Sequence, residues 1–84
     1  MPRFYFDVRE GSTFYDDEDG GEFPGLDEAE QEAIQAVVSI GHDRLPRGDT
    51  RDVTVEVRDE NQNRVLTVGV TLTIERVDLQ PSPS

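Results

Sequence analysis

Residues 26–45 read LDEAEQEAIQAVVSIGHDRL, and this stretch decides the fold. Leu26, Ala29, Ala33, Val37 and Ile40 recur at helical spacing with Ala36 beside them, which predicts one amphipathic helix. Asp27 stands where an N-cap belongs and Glu30 follows three residues later, an aspartate form of the capping box. Glu28, Glu30 and Glu32 crowd the positive end of the helix dipole, and His42, Arg44 and Arg47 lie at or beyond its negative end. Gly41 is a candidate C-cap, with the alternative that the helix runs to about Leu45 before Pro46 stops it. A core face made mostly of alanine lets such a helix lie close on a sheet.

Outward from the helix the period changes from 3.6 to 2. Upstream, Phe4, Phe6 and Val8 alternate with Tyr5, Asp7 and Arg9, a half-buried strand. Glu10-Gly11-Ser12 reads as a turn, and Thr13–Asp16 as a short strand closing a hairpin. Asp17–Gly21 is a loop by its aspartates and paired glycines, and Glu22–Gly25 stays extended ahead of Pro24. Downstream of the polar connector 47–51, Val53, Val55 and Val57 alternate with Thr54, Glu56 and Arg58. After a polar loop at 59–63, Leu66, Val68, Val70, Leu72 and Ile74 alternate with threonines in what reads as the longest strand, with Gly69 marking a bulge or a close backbone approach. The order is ββαββ: an α+β domain with an antiparallel sheet of about four strands and one helix packed on one face. Residues 1–77 form the domain, and 78–84 read as a disordered Pro/Ser tail.

Composition bounds the function. The chain has 84 residues, so it buries only about 60–65% of its unfolded surface and is marginally stable. The absence of cysteine excludes disulfides, thiolate metal sites and a cysteine nucleophile. Nineteen acids face eight arginines and no lysine, for a net charge of −11. Eleven of those acids lie between Glu10 and Asp43, a span without arginine, so the net charge belongs to the middle of the chain. A field of that sign argues against nucleic-acid and anionic-membrane partners. With neither a signal-peptide h-region nor a membrane-spanning apolar run, the expected location is cytoplasmic.

The acidic loop 16–22 is the first chemical candidate. Asp16, Asp17, Glu18, Asp19 and Glu22 carry oxygens suited to a hard cation such as calcium. With Gly21 at the invariant glycine of an EF-hand loop, the fifth position is Gly20 and the twelfth is Asp27; with Gly20 there, the first ligand is Tyr15 and the last is Leu26. Neither register fits, which leaves a weak, open site as an alternative and a solvated turn as the bland reading. His42 is the only histidine and sits where an imidazole steadies a helix C-terminus, so a histidine-based metal centre or a Ser12 or Ser39 triad is not expected. No glycine pattern marks a phosphate loop. Catalytic residues, metal ligands and cofactors are therefore not expected, and the chain is not read as an enzyme. Phe4, Phe6, Phe14 and Phe23 are assigned to the core, and Tyr5 and Tyr15 to the opposite face of the first hairpin as rim residues of a binding surface.

The opening Pro2–Gly11, the acids and glycine of Asp16–Gly20, the Leu26-Asp27 helix entry and the strand Val53–Asp59 together resemble a family of short, mainly alphaproteobacterial proteins grouped only as a domain of unknown function. The likeness covers roughly residues 2–70 and implies a compact bacterial domain without assigning a site. Three functions stay open. The leading one is a non-enzymatic accessory domain whose acidic face, formed by Asp16, Asp17, Glu18, Asp19, Glu22 and Glu28 and rimmed by Tyr5 and Tyr15, meets a basic protein partner. The others are weak divalent-cation binding at the loop, and a homodimer built on the last strand, whose outer face lacks the charges that guard an edge.

Overall fold

A computed structural model describes residues 1–78 of the chain. Among them the elements run β1 (Arg3–Glu10), β2 (Thr13–Tyr15), β3 (Gly21–Glu22), α1 (Leu26–Arg44), a 3-10 turn (Leu45–Arg47), β4 (Asp52–Arg58) and β5 (Arg64–Thr71). The expected ββαββ order and α+β class hold, with the two-residue β3 as a fifth strand. All pairings are antiparallel and the order is β2-β1-β4-β5; β3 joins the free side of β1 beyond β2. The chain's first strand is thus central, flanked by a partner from the far end of the sequence.

The alternation decides the two faces. Phe4 of β1 and Val53, Val55 and Val57 of β4 are buried beneath the helix, with Phe6, Val8, Leu66, Val68 and Val70 packed around them. Ala29, Ala33, Val37 and Gly41 form the buried row of α1, one residue per turn of four. These small side chains let α1 lie directly over β4 and β5. A Cβ on Gly41 would come within 3.1 Å of Val70 Cγ2, so this glycine serves close packing rather than capping. Phe23 covers the helix-side face of β1 where α1 does not reach, with its ring 6.4 Å from Phe4 and 5.4 Å from Phe6.

Several expectations are corrected. Gly25, extended and without a side-chain cap, is the N-cap, and α1 begins at Leu26; Asp27 falls inside the first turn, where it acts on the dipole and not as a cap. The helix ends at Arg44, continues as the 3-10 turn through Pro46, and stops at Gly48 in the left-handed region. The first hairpin turns on two residues, with Glu10 opposite Thr13, so Phe14 opposes Arg9 and Tyr15 opposes Val8. Phe14 therefore leaves the core for the outer face, 44% exposed and under the Arg9 guanidinium. Tyr15 lies on the helix side instead of sharing the face of Tyr5. The last strand has eight residues, the same as β1, because β4 starts at Asp52 and offers no further partner once the Leu72 N–H reaches the Arg51 carbonyl. Of the expected tail, 79–84 lies outside the described residues. No described helix is long and apolar enough to cross a membrane.

Candidate functional site

The outer face of the sheet carries charge where an open antiparallel sheet usually carries mixed polar groups. Asp7 of β1 lies directly opposite Glu56 of β4, and both are buried. Two adjacent carboxylates repel unless cations intervene. Arg64 sits 3.0 Å and Arg9 3.8 Å from Glu56. Asp7, 3% exposed, is matched by Arg58 at the end of β4.

Arg58 joins four segments. Its Nε donates to Asp7 Oδ2 at 2.6 Å and its Nη2 to Asp7 Oδ1 at 3.1 Å, a bidentate pair. The same Nη2 donates to the Asp17 carbonyl at 2.9 Å and lies 3.5 Å from Asp16 Oδ1. Its Nη1 donates to Gln62 Oε1 in the β4–β5 loop, and its Cζ stands 4.8 Å over the Tyr5 ring.

The acidic loop folds around this guanidinium. β1 pairs with β3 at Arg3–Phe4 and with β2 from Val8 onward, leaving its edge open between them. Asp17 fills the gap: its Oδ2 accepts the Phe6 N–H at 2.9 Å, and its Oδ1 accepts the N–H groups of Asp19 and Gly20 at 3.2 and 3.1 Å. The Asp17 N–H donates to Asp7 Oδ1 at 2.9 Å. Gly20 turns the chain at φ +69. Arg3 closes the far side, donating to the Asp19 carbonyl at 2.8 Å and standing 3.6 Å from Glu22.

The expected site residues thus divide into separate groups. Asp16 is exposed and reaches Arg58 at 3.5 Å, while Asp17 accepts N–H groups from Phe6 of β1 and from Asp19 and Gly20 of the loop. Glu22 faces Arg3, while Asp19 engages it through its carbonyl. Glu18 and Glu28 are exposed and make no ion pair among the described residues. Tyr5 lies on the outer face against Arg58, and Tyr15 lines an open groove on the helix side with Val8, Ser39, Ile40 and Arg44. The two tyrosines do not share a surface. Among the described residues no three His, Cys, Asp or Glu side chains gather to hold a metal, and both oxygens of Asp7 and of Asp17 accept N–H donors. Arg58 was not among the expected site residues. Its signal was an arginine ending a valine-alternating strand, which the register sets opposite Tyr5 and so diagonal to Asp7, two residues along β1.

Burial alone would raise the Asp7 pKa. The hydrogen bonds from Arg58 and the Asp17 N–H, with the Arg58 charge, outweigh it and set the value below the ordinary 3.8. The hydrogen bond to Asp7 in turn raises Arg58, which stays charged at every accessible pH. A carboxylate whose folded pKa is depressed contributes stability above its unfolded pKa and loses it as pH falls through the folded value. Thermal unfolding midpoints should therefore drop steeply from about pH 4 downward, and Asp7→Asn should flatten that drop. A variant with the wild-type acid profile would show that other carboxylates control it.

No curated protein and no solved structure matches the chain. A family model matches residues 3–71, from the first residue of β1 to the last of β5, taking in the Arg58 cluster and the loop around it. The chain belongs to the family described as a domain of unknown function (DUF6894).

Proposed function

We propose that this domain is a non-catalytic protein-interaction module whose acidic surface binds a basic protein partner. One observation supports it. Six arginines, namely Arg3, Arg9, Arg44, Arg47, Arg58 and Arg64, stand within ion-pair distance of acids on the strands, the loops or the helix C-terminus. None stands within such distance of Asp27, Glu28, Glu30 or Glu32 in the first two turns of α1, all four of them exposed. The helix dipole accounts for acids in the first turn, yet its effect fades beyond it, and Glu30 and Glu32 lie further along. Such a field accelerates encounter with a cationic surface and is screened over about 10 Å at 0.1 M salt.

The test is a tagged pull-down from native lysate with the wild-type chain and with Glu28, Glu30 and Glu32 all changed to Gln. A specific basic protein should be captured by the wild type, elute between about 50 and 200 mM salt, and be lost with the triple variant. Equal capture by both chains would sink the acidic-surface reading.

A further inference from the structure

β5 ends the sheet, and its outer edge pairs with nothing among the described residues. The Leu72 N–H bonds the Arg51 carbonyl, so by the alternation of an antiparallel ladder Leu66, Val68 and Val70 also direct their backbone groups to β4. Thr67, Gly69 and Thr71 then direct theirs outward, an unprotected row of donors and acceptors, while Val65 is the extra residue where the register shifts between Val57 and Arg58. Edge strands are normally guarded by charge, proline or a covering segment, and within β5 only Arg64 is charged.

We propose that the occupant of this edge is a second copy of the chain, paired antiparallel through β5 about a two-fold axis at Gly69. Three observations select that partner. Residues 61–74 contain no acid in a chain of net charge −11, so along this stretch two copies meet without juxtaposing carboxylates. The register is self-complementary: Leu66 opposes Leu72, Val68 opposes Val70 and Thr67 opposes Thr71, keeping apolar residues on the helix side and threonines on the other. The apolar alternation also runs on to Ile74, 62% exposed and beyond the reach of β4, and in this register Ile74 meets the start of the partner strand.

The helices meet as well. A two-fold axis perpendicular to the sheet puts both copies of α1 on the same face. Each helix lies over β4 and β5, and with strands about 4.8 Å apart the two helix axes stand about 10 Å from each other, a normal packing distance. The flank of α1 toward β5 carries Val38, 55% exposed, which lines an apolar groove with Leu45, Val70 and Leu72; Ile34, one turn earlier in the same row, is exposed too. Those two side chains fill the space between the helices. The acids of the first helical turns are not required, so this pairing and the acidic-surface reading stand or fall separately.

Sedimentation equilibrium on the full chain from about 5 to about 500 µM should show the mass rising toward twice 9.5 kDa. The chain has no cysteine, so single cysteines report geometry cleanly. Gly69→Cys places two thiols across the axis with Cα atoms about 5.5 Å apart, within disulfide reach, whereas Val65→Cys leaves them about 25 Å apart. Under mild oxidation the former should cross-link at least about tenfold faster than the latter. Val38→Glu alters an exposed helical position, so it should keep the wild-type circular dichroism while weakening the dimer at least about tenfold. A monomer mass at every concentration, equal cross-linking of the two cysteine variants, or a dimer indifferent to Val38→Glu would each overturn the proposal.

Discussion

Arg58→Met is expected to cost about 3–5 kcal/mol, a large share of the total stability of so small a domain. Methionine keeps the apolar stem and the fit against Tyr5 but removes every donor of the guanidinium. Asp7, nearly fully buried, would keep only the Asp17 N–H, and an unpaired carboxylate in that position bears the full penalty of its desolvation. The Asp17 carbonyl and Gln62 would lose their donor in the same step. Adding Asp7→Asn should recover about 2 kcal/mol, because the amide oxygen still accepts the Asp17 N–H and no buried charge remains. Urea unfolding of wild type, both single variants and the double variant measures the coupling directly. A cost below about 1 kcal/mol for Arg58→Met would place the pair among ordinary surface salt bridges.

Gly20→Ala should be the next most damaging change, at about 3 kcal/mol, with Gly48→Ala as its control at about 1 kcal/mol. Both glycines hold positive φ, +69 and +82, so an alanine at either meets a similar backbone strain. The difference lies in what the new methyl touches. At Gly48 nothing lies within 4 Å. At Gly20 the Cβ would fall 2.7 Å from the Phe4 carbonyl oxygen and 2.9 Å from the Tyr5 ring, and neither can yield without moving β1. The loop would have to lift, loosening the hydrogen bonds from Asp19 and Gly20 to Asp17 and from Arg3 to the Asp19 carbonyl. Equal melting points for the two alanine variants would show that φ alone matters at Gly20.

Local periodicity carried most of the architecture. Phe4, Phe6 and Val8, the valines of β4 and the alanine row of α1 each declare their buried face by spacing alone. What stayed hidden depends on parity and on distance along the chain. Counting three turn residues in the first hairpin instead of two moved Phe14 inward and Tyr15 outward, since a one-residue change of register exchanges the faces of a strand. Gly11 at φ +57, followed by Ser12, suits a two-residue turn opened by glycine, so that signal was present in the sequence. The helix start was misplaced because Asp27 and Glu30 have the composition of a capping box, while the chain enters through an extended Gly25. The role of the acidic loop was the larger omission. Its aspartates look like free ligands until β4 lies beside β1 and brings Arg58 into their midst, and nothing within the loop announces that neighbour.

The placement of β4 beside β1 also governs how the chain reaches its native state. Arg58 and Asp7 are 51 residues apart in sequence, and the ladder joining their strands runs through the centre of the sheet. During synthesis the first hairpin and helix emerge without the strand that buries their apolar sides, so they gain little from forming early. Closing so long a loop comes before the reward, which makes the contact order high for a chain of this length and its folding correspondingly slow. A ribosome-bound fragment ending at the connector 47–51 should remain protease-sensitive, and protection should arrive in one step once β4 and β5 have cleared the exit tunnel.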